Sequence, residues 1–143
     1  MGLRMVLFHA GKDAEAEALY RRYEQRLQNY IRVETFLQEK GRRDEPAAWQ
    51  KPPVTLVALD ATGLAMTSEG LSSWLEKRLQ EGRHLVFLIG GANGLEPELM
   101  KKAHWKLSLS PMTLPHHLAR VVLAEQLYRA FTILNRHPYH LGH

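Results

Sequence analysis

The sequence predicts an α/β fold with a mainly parallel sheet and helices on both faces. Short, nearly continuous apolar runs, such as residues 85–89, are typical of buried parallel strands. These runs alternate with segments in which apolar residues recur every three or four positions, as in helices. Glycine and proline turns separate the two kinds of segment. Strands joined by helices indicate a parallel sheet that is covered on both sides.

The first third of the chain predicts a strand, a helix and a second strand. The strand covers residues 3–9, and Asp13 is placed to cap a helix over residues 14–30, whose apolar stripe recurs at three- and four-residue steps. Residues 32–38 alternate in polarity as a half-buried strand does. Residues 39–53 have no period and contain prolines, so we expect a poorly ordered surface loop there.

The middle of the chain predicts two buried strands and a helix between them. Residues 54–60 form an apolar run that ends in Asp60, and residues 61–66 are expected to form a turn. Thr67 or Ser68 then caps a helix that extends through Gln80. The helix is predicted to bury four apolar side chains: Leu71, Trp74, Leu75 and Leu79. The second strand is the run at residues 85–89.

The last part predicts two helices and one more strand. The glycine-rich turn at residues 90–94 leads into a short helix from Pro97 to residue 103, and a strand covers residues 105–109. A long helix over residues 116–135 is apolar on too many sides to face one small core. Its apolar residues are Leu118, Val121, Val122, Leu123, Leu127, Tyr128, Phe131, Ile133 and Leu134. We therefore expect a symmetric homodimer that shares this helix.

Composition and length narrow the class of protein. The chain has 143 residues, 45% of them hydrophobic and 24% charged, which suits one domain over residues 1–143. The absence of cysteine excludes disulfides, cysteine-type zinc sites and thiol nucleophiles. No apolar run approaches the roughly 18 to 20 residues of a membrane span. The N-terminus offers no cleavable signal, so a cytoplasmic location is expected.

Charge is distributed unevenly along the chain. Residues 1–100 hold 13 lysines and arginines against 14 acids, whereas residues 101–143 hold six against Glu125 alone. Such a basic region suits a polyanion such as nucleic acid, because neutralised phosphates release counterions. A solvated basic face is the alternative.

Two loops are candidate binding sites because ligands of α/β proteins bind at the carboxyl ends of strands. The turn at residues 90–94 matches neither a dinucleotide-binding nor a P-loop motif, and it is equally consistent with an ordinary tight turn. The loop at residues 110–115 either offers backbone groups in a rigid frame or simply connects a strand to a helix capped by Thr113. No metal site is predicted, since the tail histidines lie in a proline-broken segment. Hydrolase motifs are absent.

Four segments in the C-terminal half together resemble the RlmH family, large-subunit ribosomal RNA methyltransferases of the SPOUT superfamily. They occur in the family's order, and with Leu59-Asp60 and Gly11-Lys12 the likeness covers nearly the whole chain. The segments are Leu88-Ile89-Gly90-Gly91-Ala92-Asn93-Gly94, Leu107-Ser108-Leu109-Ser110-Pro111-Met112-Thr113-Leu114-Pro115-His116, Ala124-Glu125-Gln126-Leu127-Tyr128-Arg129-Ala130 and His137-Pro138-Tyr139-His140.

The resemblance implies a trefoil-knotted fold, a homodimer and S-adenosylmethionine bound in the knot. The implied reaction is N3-methylation of pseudouridine 1915 in helix 69 of the large-subunit RNA on assembled ribosomes. Three residues are implied to act on the substrate RNA: Arg129, Tyr139 and His140. The implied cofactor residues are Leu59, Gly91, Ser110, Pro111, Met112, Thr113, Leu114 and Pro115.

Two departures from the family pattern leave alternatives open. Leu141 stands where the family's tail carries an arginine, for which Arg136 or an arginine of a partner subunit could substitute. Residues 39–53 are shorter than the helical insertion usual there. The alternatives are a catalytically weak RNA-binding dimer, a SPOUT methyltransferase acting on another RNA such as transfer RNA, and a nucleotide-binding protein that does not act on RNA. The missing phosphate motifs disfavour the last.

Overall fold

The computed structural model describes residues 2–8, 11–38, 49 and 51–142. The strands in this part of the chain are β1 (Gly2–Phe8), β2 (Arg32–Gln38), β3 (Val54–Ala65), β4 (His84–Ile89) and β5 (Trp105–Ser108). The helices are α1 (Ala14–Leu27), α2 (Ser68–Gln80), α3 (Pro97–Lys102) and α4 (His116–Leu134), followed by a 3₁₀ turn, His140–Gly142.

The five strands form one parallel sheet in the order β2-β1-β4-β3-β5. Because all strands run in the same direction, their carboxyl ends meet at one edge, and the segments that follow β3, β4 and β5 lie side by side there. The expected parallel α/β architecture is confirmed, and it places both candidate loops at this edge.

The sheet separates two apolar clusters of unequal size. Helices α1, α2 and α4 pack on one face, around Leu75, Phe87 and Leu123 among other side chains. The opposite face carries a smaller cluster, which Leu99 of α3 and Trp49 cover. Helices therefore lie on both faces, as expected.

Trp49 contradicts part of the predicted surface loop at residues 39–53. Its side chain is only 1% exposed and meets the Phe8 ring edge-on. Its carbonyl accepts a hydrogen bond from the Arg4 guanidinium at 3.3 Å. Burial of this large aromatic ring against the sheet fixes the residue in place. Residues 39–48 and 50 lie outside the described residues.

Helix α1 ends three residues earlier than predicted. Its apolar stripe continues through Tyr30, but the helix stops at Leu27 because the Gln28 side chain pairs with the backbone of Val33. The Gln28 amide donates to the Val33 carbonyl at 2.8 Å and accepts from the Val33 N–H at 3.1 Å. Tyr30 still packs on α4, stacked on Phe131. The apolar stripe therefore predicted correctly that Tyr30 packs against the helices, but it predicted the end of α1 incorrectly.

Strand β3 is longer than predicted, and the expected turn at residues 61–66 is wrong. The strand shifts register against β5 and pairs again, with Leu64 opposite Leu107. Asp60 folds back locally and accepts from both the N–H and the hydroxyl of Thr62. A Cβ on Gly63 would lie 2.6 Å from the Lys106 carbonyl oxygen, so glycine is required there. Residues 60–63 are of types common in turns, and in this strand they form the irregularity at which the register shifts.

The remaining boundaries lie within one residue of the predicted ones, except that the predicted end of the first strand, His9, lies outside the described residues. The Thr67 hydroxyl accepts a hydrogen bond from the Gly70 N–H at 3.0 Å, so Thr67 caps the N-terminus of α2. Of the four side chains predicted to be buried by this helix, Leu71, Trp74 and Leu75 are buried and Leu79 is partly exposed. Among the described helices, none is both long and apolar enough to cross a membrane.

Candidate functional site

A cavity of about 370 Å³ lies beyond the carboxyl ends of β3, β4 and β5, and we call it the strand-end cavity. It is lined from β3 and the turn after β4, and from the segment that joins β5 to α4. The lining residues are Leu59, Asp60, Ala61, Ile89, Gly90, Gly91, Ala92, Gly94, Leu107, Leu109, Ser110, Met112, Thr113, Leu114, Pro115, His116 and Ala119. Most of them are apolar or small, so the polar groups available to a ligand are largely backbone N–H and C=O groups.

The glycine turn beside this cavity tolerates no side chain at its first position. A Cβ on Gly90 would lie 2.5 Å from the carbonyl carbon of Gly94. The turn closes with a hydrogen bond of 3.0 Å from the Gly94 N–H to the Gly91 carbonyl, and Gly94 has a φ of +75°. This tight backbone keeps the cavity open to a ligand. A flat apolar group with polar edges, such as an adenine ring, fits such a cradle.

The loop after β5 is held by serine hydroxyls. The Ser108 hydroxyl donates to the Ser110 carbonyl at 3.1 Å, and the Ser110 hydroxyl accepts from the Met112 N–H at 3.0 Å. Met112 is 74% exposed although it lines the cavity, so its thioether lies at the opening. The loop thus presents fixed backbone groups and an apolar rim.

Seven of the eight residues that the family resemblance implied for the cofactor line this one cavity. Pro111 is exposed and is not among the lining residues. Asp60, the acid at the end of the predicted strand, does line it. The structure therefore brings together residues from three segments that are far apart in sequence.

Arg129, Tyr139 and His140 form a second site, the tail cluster, together with Glu125 and Glu69. The Arg129 guanidinium donates through Nε and Nη2 to the two carboxylate oxygens of Glu125, each at 3.1 Å. Tyr139 donates its hydroxyl to Glu125 at 3.2 Å, and the Arg129 guanidinium lies 4.9 Å from the Tyr139 ring centroid. Glu125 is the carboxylate that joins α4 to the tail.

His140 extends the tail cluster to α2. Arg129 Nη1 lies 3.0 Å from His140 Nδ1, and His140 Nε2 lies 2.6 Å from the Glu69 carboxylate. A guanidinium has only donors, so Nδ1 accepts and Nε2 carries the proton that is donated to Glu69. This chain of contacts assigns the neutral tautomer of His140. Hydrogen bonds from its own backbone N–H and from His140 lower the pKa of Glu69.

The tail tyrosine is a hydrogen-bond donor at neutral pH. Burial, followed by the nearby Glu125 carboxylate, raises the pKa of Tyr139 to about 12. A phenol with that pKa stays protonated at pH 7 and does not act as a base there.

None of the three tail residues lines the strand-end cavity of the same chain. A groove between the two sites is lined by Ser68, Val122 and Gln126 among others, and the Ser68 hydroxyl contacts the Gln126 amide oxygen at 2.6 Å. Leu107 and Leu109 line both the groove and the cavity. Within one chain, the predicted cofactor and substrate residues therefore occupy two places.

Comparison with known families identifies the family to which this fold belongs. A family model described as a predicted SPOUT methyltransferase matches residues 1–140. The chain belongs to the SPOUT methyltransferase family. The resemblance stated from the sequence is thereby confirmed at the level of the family.

Relatives of this SPOUT chain are similar over nearly its full length. The ribosomal RNA large subunit methyltransferase H of Koribacter versatilis is 40% identical over 152 residues, which cover 100% of both chains. The protein of the same name from Nitrosomonas eutropha is 43% identical over 129 residues, covering 90% of this chain and 81% of the relative.

Solved structures share the SPOUT fold at low identity. A probable methylase family protein from Haemophilus influenzae Rd KW20 has a TM-score of 0.65 and 13% identity over 96% of this chain and 69% of that chain. The SpoU methyltransferase AviRb from Streptomyces viridochromogenes, solved with AdoMet, has a TM-score of 0.57 and 10% identity over 90% of this chain and 57% of that chain. These likenesses support the fold, for which the trefoil knot is the implied chain path.

Two residues of the tail cluster, Glu125 and Glu69, were not predicted as functional from the sequence. Glu125 lies four positions before Arg129 on α4, a spacing at which an acid and an arginine meet on one helix face. It is also the one acid in the basic segment of residues 101–143. That signal was sufficient to find it. Glu69 is 71 residues from its partner His140, and no local pattern connects the two.

Proposed function

We propose that this SPOUT methyltransferase transfers a methyl group from S-adenosylmethionine to N3 of pseudouridine 1915 in helix 69 of 23S ribosomal RNA. It would act on assembled ribosomes in the cytoplasm. The observation that carries the proposal is the strand-end cavity, where seven of the eight implied cofactor residues meet. The names of the relatives support ribosomal RNA as the substrate.

The strand-end cavity would hold the cofactor. Leu59 and Gly91 both line this cavity, and the loop at residues 110–115 would supply backbone donors and acceptors that read the adenine edge. When bound, S-adenosylmethionine supplies a methyl group on a sulfonium, so that transfer to N3 breaks the sulfur–methyl bond, leaves S-adenosylhomocysteine and releases the N3 proton. Met112 and Leu114, two apolar side chains of the lining, would flank the purine.

The tail cluster would bind the target nucleotide. The Nε and Nη2 edge of the Arg129 guanidinium is bonded to both carboxylate oxygens of Glu125, so its direction is fixed before substrate arrives. Tyr139 stays protonated at pH 7 and supplies a hydrogen-bond donor. His140 is held between Arg129 and Glu69, which sets its ring orientation.

A homodimer would complete the site. The tail residues do not line the cavity of their own chain, so the tail of a second copy is needed beside the bound cofactor. The exposed apolar side chains of Leu118, Met112 and Leu141 provide surface that a second copy would cover. A shared apolar surface of this kind is typical of a symmetric dimer.

The test is transfer of labelled methyl from S-adenosylmethionine to joined ribosomes, separated subunits and bulk transfer RNA, followed by mapping of the modified nucleotide. We expect label at the helix 69 pseudouridine, on joined ribosomes only. Label in transfer RNA would contradict the proposed substrate.

The matched variant for this experiment is Leu141→Arg, which restores the arginine of the family's tail. Leu141 is 87% exposed, so the change does not disturb the core. Cofactor binding without transfer by either protein would favour a catalytically weak RNA-binding dimer. Transfer by the variant alone would show that Leu141 is the cause of weak turnover.

A further inference from the structure

The proton on N3 of the target nucleotide has to leave before N3 can take a methyl group. N3 of a pyrimidine is planar and bonded to two ring carbons, so the electron pair that remains points where the proton pointed. The methyl donor has to approach N3 along that same line. The group that accepts the proton therefore lies on the cofactor side of the site, at the strand-end cavity.

Two described residues that line the strand-end cavity carry titratable side chains, Asp60 and His116. Both carboxylate oxygens of Asp60 already accept hydrogen bonds from Thr62, at 3.2 Å from its N–H and 2.9 Å from its hydroxyl. A carboxylate is also a much weaker base than an imidazole. His116 is therefore the stronger candidate for a proton acceptor in this cavity.

His116 is the first residue of α4, and its side chain lies partly exposed at the cavity wall. Its ring contacts the ring of His117, with the two centroids 3.9 Å apart. Within the described part of the chain, neither ring nitrogen of His116 has a hydrogen-bond partner. The nitrogen that carries no proton is thus open to a nucleotide bound at the cavity.

The imidazole of His116 is neutral at pH 7. Burial, followed by the nearby His117 and Arg120, lowers the pKa of His116 below the ordinary histidine value. His117 and Arg120 both belong to α4, and Asp60 is the acid that lines the same cavity. A neutral imidazole can take up a proton, and it does not repel the sulfonium of the cofactor as its cation would.

The tail cluster is less suited to this step, because its groups are bonded to one another. Tyr139 stays protonated at pH 7. His140 accepts from Arg129 through Nδ1 and donates its Nε2 proton to Glu69. The Glu125 carboxylate accepts from Arg129 and Tyr139. These contacts orient the cluster for binding and leave the proton transfer to another group.

We propose that His116 accepts the N3 proton of the target nucleotide. The proton passes from N3 to the unprotonated ring nitrogen, directly or through one water, and its bonding electrons stay on N3. That pair forms the new bond to the methyl carbon while the sulfur–methyl bond breaks with its electrons on sulfur. The imidazolium then releases the proton to solvent. This inference rests on the proposed methyl transfer to N3, and it adds the group that makes N3 nucleophilic.

The first test is the pH dependence of the single-turnover rate of methyl transfer to joined ribosomes. Since the neutral ring is the active form, the wild-type rate should rise with pH through the lowered pKa of His116 and be level above it. In His116→Gln the rate at pH 7 should fall by about 100- to 10,000-fold. It should then keep rising with pH, because hydroxide takes the place of the imidazole. The affinity for S-adenosylhomocysteine, measured by calorimetry, should change far less than the rate.

The second test needs no turnover and is made on wild type, so it does not depend on the folding of a variant. The pKa of His116 is measured by NMR with S-adenosylmethionine bound and with S-adenosylhomocysteine bound. The positive sulfonium should hold this pKa lower than the neutral thioether does, because a like charge disfavours the imidazolium. Equal pKa values in the two complexes would show that the ring does not lie beside the reacting centre, and would overturn the inference.

The matched control is His84→Gln. Burial is also the chief cause that lowers the pKa of His84, but this histidine begins β4, at the opposite edge of the sheet from the cavity. The variant should keep the rate and the pH profile of wild type.

Three outcomes of the rate measurements would contradict the inference. A wild-type profile in His116→Gln would overturn it while the proposed function stands. Loss of the rise with pH in Asp60→Asn, but not in His116→Gln, would assign the proton to Asp60 instead. Absence of methyl transfer by wild type would overturn the proposed function, and the inference with it.

Discussion

The strand-end cavity and the tail cluster are formed by different kinds of chemical group. The cavity is formed by the backbone of two loops and by apolar side chains, and its shape depends on a glycine turn. The tail cluster consists of charged and polar side chains, with Glu125 bonded to both Arg129 and Tyr139. The first site offers a ligand mainly a shape, and the second offers charged groups in fixed directions.

This difference teaches where each site is sensitive to mutation. The cavity should respond to added volume and hardly to loss of a single polar side chain, because the backbone carries its polar groups. The tail cluster should respond to the loss of one charge, because its members orient one another. Substitutions that change only side-chain volume or only charge therefore distinguish the contribution of the cavity from that of the tail cluster.

The largest effect is expected from Gly91→Trp. The indole would fill the strand-end cavity, so the affinity for S-adenosylhomocysteine should fall by more than about 100-fold. Gly91 lines the cavity but is itself buried, so the circular dichroism spectrum should first show that the variant is folded. Calorimetry measures the loss. Asn93→Ala, at an exposed position of the same turn that does not line the cavity, is the control. Unchanged affinity in Gly91→Trp would remove the glycine turn from the site.

An intermediate effect is expected from Glu125→Gln. The change removes the charge that fixes Arg129 and accepts from Tyr139, and hydrogen bonds to charged groups contribute about 1.5 to 3 kcal/mol each. Methyl transfer should slow by about 10- to 100-fold. The affinity for S-adenosylhomocysteine should stay the same, because Glu125 does not line the strand-end cavity.

Glu76→Gln is the control for this change, since Glu76 is an exposed acid of α2. It should leave methyl transfer unchanged. A loss of cofactor affinity in Glu125→Gln, with the rate of transfer at saturating cofactor kept, would assign the tail cluster to the cofactor instead.

The sheet and the cavity were largely predictable because their signals are local. Continuous apolar runs marked β3 and β4, and parallel strands bring their carboxyl ends to one edge. The extension of β3 was not predictable, because residues 60–63 have turn-forming types and pair with β5 only after a register shift. That pairing depends on a strand about forty residues further along the chain. The order of polar and apolar residues within one segment cannot predict pairing with such a distant strand.

The tail cluster was predictable only in part. Arg129, Tyr139 and His140 came from family resemblance, which gives residues without their contacts. The helical spacing of Glu125 and Arg129 is visible in the sequence and could have added Glu125. A sequence pattern predicts which residues share a helix face or a strand face. It does not predict contacts between residues that are far apart along the chain.

The smallest effect is expected from Glu69→Gln, which tests whether the outer end of the tail cluster matters. Glu69 accepts from His140 Nε2 but is largely exposed, and exposed charge pairs contribute little. Methyl transfer should slow by no more than about two- to fivefold. The pKa of Glu69 is lowered, so its contribution to stability is present above the ordinary carboxyl pKa and is lost as the pH falls through the lowered value. The melting temperatures of wild type and Glu69→Gln should therefore differ most near neutral pH and converge in acid. A difference that persists in acid would show that the side chain acts through packing, and a loss of transfer larger than that of Glu125→Gln would make Glu69 the principal anchor of the tail.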